Sequence, residues 1–288
     1  VIGWLVAPLA YGFMQKGMLV AILVGVACAL VGCYVVLRSM AFIGDAMAHS
    51  ILPGVAVAYL LKGNLLIGAL AAAVAVALGI GFFSRQGRLK EDSAIGILFA
   101  AAFSLGVILI SSIRTYAVDL SHILFGNVLG VSDTDLLLTA ILVVVVIGAV
   151  FLLYKELLVI SFDPVLAATL RLPAERLRMI LLVLLALTVV VSLQSVGIGL
   201  VTSMLVTPGA TAYLLTRRLP RMMALSAGLG ALSSVIGLYA SYYLDVVSGA
   251  AIVLTATAFF MIAFLFAPRR GIIWKGLRKV RKRKTEPA

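Results

Sequence analysis

Nine runs of about twenty mostly apolar residues follow one another along this 288-residue chain, near 15–37, 42–61, 65–84, 94–113, 135–154, 178–196, 198–216, 222–244 and 249–267. Each is long enough to cross the roughly 30 Å hydrocarbon core of a bilayer as a helix. Lipid offers no hydrogen bonds, so every backbone N–H and C=O in such a run must be satisfied within the protein, and a helix does this locally. The expected fold is therefore an all-α polytopic membrane protein with about eight to ten transmembrane helices. Composition agrees, with 64% hydrophobic and 12% charged residues, where soluble domains have about half and a quarter. The opening VIGWLVAPLAYGF is short and interrupted by Pro8. Residues 1–13 thus read as an interfacial segment anchored by Trp4 and Tyr11, ahead of a membrane domain over 14–267 and a basic tail over 268–288. No basic stretch precedes the apolar start, so no cleavable signal peptide is expected. Cys28 and Cys33 share one apolar run and read as ordinary buried thiols.

The formal charge of +12 raises the question of nucleic acid, but the placement of charge argues for lipid. Nine of the 23 basic residues crowd the tail, from Arg269 to Lys284. A juxtamembrane basic cluster marks a cytoplasmic face and contacts anionic lipid. With the tail inside, alternation of the runs places 20 of the 23 basic residues on that side and leaves only Lys16, Lys62 and Arg114 outside. The N-terminus is then outside and the C-terminus cytoplasmic. The thin boundary between residues 196 and 198 and the first segment are the places where the number of spans is open.

The same alternation sorts the 11 acids. Asp119, Asp133, Asp135 and Asp245 fall in outer loops or at span ends, and Glu91, Asp92, Glu156, Asp163, Glu175 and Glu286 fall inside. Asp45 alone is left within a span. It lies in FIGDAMAHSILPG, four residues before His49 and eight before the pair Pro53-Gly54. An ionisable group there costs roughly 2.5–3.5 kcal/mol on insertion scales, which marks it for function. Residues i and i+4 share a helix face, and a carboxylate beside an imidazole suits Mn²⁺, Fe²⁺ or Zn²⁺. Pro53 also deprives the His49 carbonyl of its helical N–H. From spacing alone three uses stay open: a metal site, a structural pair and a proton relay.

A second irregular run, VGIGLVTSMLVTPGATAYLLTRR, repeats the Pro-Gly pair at Pro208-Gly209 and carries Thr202, Ser203, Met204 and Thr207. Interrupted helices build transporter pathways or hinges, but small residues also serve close helix packing in lipid. Pro53, Gly54 and these six residues are the candidate pathway or hinge positions. On the inner side, KELLVISFDPVLAATLRLPAERL (155–177) is the longest connection before the tail. Asp163-Pro164 reads as an N-cap followed by Pro at the first helical position, starting a short helix. Such a helix is either a surface for a motor subunit or an interfacial connector. No G-x-x-x-x-G-K-[ST] occurs, so the chain has no phosphate-cradling loop. It is not expected to be an enzyme, and any ATP that drives it is hydrolysed by another polypeptide. His122, in LSHILFGNVLGVS, belongs to the outer connection.

Together VVLRSMAFIGDAMAHSILPGVAVAYLL, EDSAIGILFAAAFSLGV, LSHILFGNVLGVS, SFDPVLAATLRLP and GLVTSMLVTPGATAYLLTRRL resemble the membrane permease of bacterial ABC-type manganese/zinc/iron uptake systems, from about Phe13 to Ala267. LFGNVLGVS and TPGATAYLLTRR are closer to manganese-type members. The resemblance implies a type II ABC-importer-like permease in the bacterial cytoplasmic membrane, working as a homodimer with two cytoplasmic ATPase subunits and an extracytoplasmic metal-binding protein. It implies Mn²⁺ as transported substrate, with Zn²⁺ or Fe²⁺ as alternatives, no permanently bound cofactor, and ATP on the partner subunit. Asp45 and His49 match the family's proposed metal site. Asp163, Pro164, Val165, Leu166, Ala167, Ala168, Leu170 and Arg171 match the segment that docks on the ATPase. The competing readings are a cation- or proton-coupled secondary transporter and a permease for a metal chelate.

Overall fold

The computed structural model describes residues 7–85, 89–112, 128–162 and 164–267. Among them, a short 3₁₀ turn at Pro8–Ala10 precedes α1 (Gly12–Leu37), α2 (Ile43–Ser50), α3 (Leu52–Leu60), α4 (Leu65–Arg85) and α5 (Glu91–Ser111). A second 3₁₀ turn at Val128–Gly130 leads to α6 (Asp133–Leu152), α7 (Tyr154–Phe162), α8 (Pro164–Thr169), α9 (Ala174–Val196), α10 (Ile198–Leu215), α11 (Leu219–Leu244) and α12 (Ser248–Phe266). Eight segments among the described residues are long and apolar enough to cross a membrane, with α2 and α3 together forming one of them. The ninth expected run is the shorter helix α10.

The boundary near residue 197 is real, and its cause is a single glycine. Gly197 has φ 84° and ψ 165°, a combination open essentially to Gly alone. It separates α9 from α10. Pro208-Gly209, in contrast, does not interrupt its run: α10 continues through Pro208 from Ile198 to Leu215. In the earlier run the discontinuity lies at Ile51, between α2 and α3, and Pro53 occupies the first turn of α3, where its missing N–H has no helical partner to lose. The His49 carbonyl is not left free, because the Ile51 N–H donates to it.

Helix α1 is the hub, buried along most of its length, and α5, α6 and α12 lie at the periphery. Lipid supplies no hydrophobic drive between helices, so small residues and short hydrogen bonds bring them together. A Cβ added at Gly32 of α1 would collide with the Leu205 carbonyl of α10, and one at Gly209 would meet the Gly32 carbonyl. On the other flank Gly25 and Gly230 bring α1 and α11 into backbone contact. There Ser226 and Ser234 donate to the carbonyls of Ala29 (3.0 Å) and Ala21 (2.9 Å).

Polar contacts join ends that alternation assigns to the same side. Lys16 pairs with Asp133 at 2.6 Å between the outer ends of α1 and α6. Arg38 pairs with Glu91 at 3.0 Å, and Arg178 donates to the Gly81 carbonyl at 3.0 Å, both between inner ends. Helix α6 opens on a capping box, with the Asp135 N–H donating to the Ser132 hydroxyl and the Ser132 N–H to the Asp135 carboxylate. The tail, Asp119, His122 and Asp163 lie outside the described residues.

Candidate functional site

Two tight helix ends deliver the ionisable pair. Helix α1 closes with Ser39 in the left-handed conformation (φ 58°), the Ser39 N–H donating to the Val36 carbonyl and the Met40 N–H to that of Val35. This is a Schellman closure with serine in the position usually held by glycine. It reverses the chain into α2 within five residues. Lys62 (φ 51°) closes α3 the same way, with the Gly63 N–H on the Ala58 carbonyl.

Within α2, Asp45 and His49 face the same way, their Oδ1 and Nε2 atoms 3.7 Å apart. That exceeds the roughly 3.2 Å limit of a good N–H···O bond, so the two groups do not satisfy each other. An ion bonded at about 2.1 Å to both atoms would subtend about 120° at this separation, an angle that tetrahedral to trigonal coordination accepts. The Asp45 side chain is 43% exposed and that of His49 27%. A carboxylate that open, in the first turn of the apolar span Ile43–Leu60, faces water, an ion or another protein surface rather than lipid. The far side of the imidazole is closed: Nδ1 is buried without a hydrogen-bond partner among the described residues, and the rings of Phe103 and Phe99 in α5 stand 5.8 and 6.1 Å from the ring centre. No cluster of three or more His, Cys, Asp or Glu side chains occurs among the described residues. Among the described residues, one chain therefore offers Asp45 and His49 as its ionisable side-chain ligands here.

The two Pro-Gly runs meet beside this pair, but not through their prolines. A Cβ on Gly44, next to Asp45, would meet the Leu205 side chain and the Cα of Thr202 in α10. Thr202 donates back to the Gly199 carbonyl at 3.2 Å, and the Ser203 and Thr207 hydroxyls lie 3.4 Å apart. Met204 is buried in the core. Pro53 packs on Gly106 of α5, and Gly54 and Gly68 bring α3 and α4 into backbone contact. Gly209 rests on Gly32. Thr202 thus adjoins the Asp45 turn, whereas Pro53, Gly54 and Gly209 sit at close helix contacts and Pro208 is buried within α10.

In the inner connection, α7 and α8 form two short helices ahead of Pro173, the N-cap of α9. Leu166, Leu170 and Arg171 are exposed and Ala167 is buried. Pro164, Val165 and Ala168 lie in α8 with Leu166 and Ala167, and Leu170 and Arg171 follow its end. The aromatic wall of Phe99 and Phe103 went unassigned at the sequence level. Its signal was present in FAAAF, whose i, i+4 phenylalanines share a helix face.

The family model for the ABC 3 transport family matches residues 10–267. A manganese transport system membrane protein, MntC, of Halalkalibacterium halodurans is 49% identical over 273 residues, 94% of each chain. A probable iron transport system membrane protein of Haemophilus influenzae is 40% identical over 267 residues, 93% of this chain and 98% of that one. Among solved structures, PsaBC from Streptococcus pneumoniae in complex with Fab superposes with a TM-score of 0.84 at 38% identity, over 96% of this chain and 99% of the other.

Proposed function

We propose, from the premise that the chain belongs to the ABC 3 transport family, that it is the membrane permease of an ATP-driven importer of divalent metal, with Mn²⁺ as the cargo. The observation that carries this reading is the Asp45–His49 pair: two unlike metal-ligating groups 3.7 Å apart, not bonded to each other, on a span otherwise intolerant of charge. The carboxylate offsets the ion's charge and the imidazole supplies a borderline nitrogen, a donor set that also accepts Fe²⁺ and Zn²⁺. The manganese relatives favour Mn²⁺, and the iron relative keeps Fe²⁺ as the nearest alternative.

Two ligands leave an ion's shell open. The exposed Asp45 carboxylate suits a second permease copy across a two-fold axis, which would double the donors without building a closed cage. Few ligands also suit conduction, since a site that grips too hard stalls. An extracytoplasmic binding protein would deliver the ion at the outer ends, and two cytoplasmic ATPase subunits would dock on α7 and α8 through Leu166, Leu170 and Arg171.

The fold supplies a route for that docking to act. Helix α8 leads through Pro173 into α9, whose Val190 and Leu193 line a cavity of about 140 Å³ with Ile51, Val55, Leu66 and Ala69. Ile51 is the joint between α2 and α3. A half-open apolar pocket at a joint gives it fewer protein contacts to hold it in one arrangement. Movement of the inner helices would reach the joint through α9 and tilt α2, switching the side to which Asp45 and His49 open.

The test is ⁵⁴Mn uptake by the reconstituted transporter with its ATPase and binding protein. Asp45→Asn and His49→Ala should each abolish uptake while leaving the complex assembled. Normal uptake by both variants removes the pair from the mechanism, and uptake that survives inactivation of the ATPase removes the ABC reading. Competition by Fe²⁺ and Zn²⁺ in the same assay ranks the cargo.

A further inference from the structure

The His49 imidazole is oriented by carbon. In sites that hold a resident metal, the second ring nitrogen donates to a carboxylate, carbonyl or water, which fixes the tautomer and the ring plane. Here Nδ1 is buried with no such partner among the described residues. Three aromatic contacts take its place. Phe103 meets the imidazole edge to face at 5.8 Å and 88°, Phe99 meets it at 6.1 Å and 56°, and the two phenylalanine rings lie 5.8 Å apart. All three separations fall in the range of favourable aromatic pairs. Phe42, at the N-cap of α2, adds an edge-on contact to Phe99 at 6.0 Å.

The wall is itself anchored. Glu91, Ile95, Phe99 and Phe103 recur every fourth residue and so follow one slanted ridge of α5. At the foot of that ridge the Glu91 carboxylate is held at 3.0 Å by Arg38, at the end of α1, with both side chains largely shielded. Further up, Gly106 packs on Leu52 and Pro53 just past the joint. Helix α5 is thereby fixed to the hairpin that carries Asp45 and His49 at points below and above the imidazole.

We propose that Phe99 and Phe103 are positioning residues for His49, setting the plane in which its nitrogen meets the transported cation. The proposal rests on the reading of Asp45 and His49 as the cargo site. It assigns the phenylalanines no contact with the ion; they act through the ring.

The test uses the complete reconstituted transporter and two readouts that a merely structural role would not move. One is the split between KM and maximal rate for Mn²⁺ uptake. The other is the visible absorption of Co²⁺ bound to the purified complex, which reports the ligand geometry. Phe103→Leu should raise KM at least fivefold, with maximal rate per assembled complex within twofold, and should alter the Co²⁺ bands. Phe103→Tyr, which keeps the ring, should restore both, and Phe99→Leu should act in the same direction if the first variant assembles poorly. An unchanged KM with a wild-type Co²⁺ spectrum overturns the proposal, as does a fall in maximal rate alone. Asp45→Asn separates the two levels: if it transports Mn²⁺ normally, the site reading fails, whereas if it is silent while Phe103→Leu is normal, only the positioning role fails.

Discussion

Gly32 and Gly197 illustrate two reasons why a position in this chain admits only hydrogen. At Gly32 the obstacle is another backbone, because the Leu205 carbonyl occupies the space a Cβ would need. Overpacking of this kind costs about 1–3 kcal/mol, and here the neighbour is backbone and cannot turn aside. At Gly197 the obstacle is the residue's own conformation, φ 84° and ψ 165°, which costs an L side chain about 1–3 kcal/mol. Gly32→Ala and Gly197→Ala should each lower the thermal midpoint of the purified complex. Gly96→Ala, with nothing within 4 Å of the added carbon, should leave the midpoint unchanged or raise it slightly, because alanine favours helix. Asp45 belongs to a different class of residue: its importance could be read from what surrounds it in sequence, since it is the one acid that alternation leaves inside a span.

Among the elements, the α1–α11 seam and the α2–α3 joint represent stability and motion. The seam combines Gly25 against Gly230 with the two serine hydrogen bonds to Ala29 and Ala21. Interhelical hydrogen bonds in membranes average about 0.6 kcal/mol. The double variant Ser226→Ala/Ser234→Ala should therefore lose about 1 kcal/mol, seen as a small drop in thermal midpoint with uptake retained. The joint responds differently. Filling the cavity behind Ile51 with Ala69→Val gives the adjoining helices dispersion contacts in one arrangement only. Mn²⁺ uptake should slow several-fold while Mn²⁺ binding and thermal stability hold or rise. Equal uptake rates would show that the void takes no part in switching.

For the whole molecule, the sided distribution of charge makes a prediction independent of any site. Val247 lies at an outer helix end and Arg217 at an inner one, both exposed, and native Cys28 and Cys33 are fully buried. A membrane-impermeant maleimide applied to intact cells should label Val247→Cys and spare Arg217→Cys, and permeabilisation should make both reactive. The spans, their alternation and the isolation of Asp45 were legible in the sequence because burial in lipid acts residue by residue: each apolar run and each charge answers to the bilayer before it meets another helix. The i, i+4 register of Asp45 and His49 was legible for the same reason, being a property of a single helix. What remained hidden depends on neighbours distant in the chain. Pro53 and Pro208 read alike, yet one follows a joint at Ile51 beside Gly106 and the other lies inside a continuous helix whose Gly209 rests on Gly32. The carbonyl expected to be free at His49 was taken by Ile51. Phe99 and Phe103 come to stand beside His49 only through the packing of α5 on α2, with Glu91 held by Arg38 at the end of α1. The sequence by itself determined a many-span membrane protein with one ionisable pair at membrane depth, because the bilayer judges each segment alone; only the tertiary structure decided what surrounds that pair, because a side chain's neighbours are set by helix contacts that no local pattern encodes.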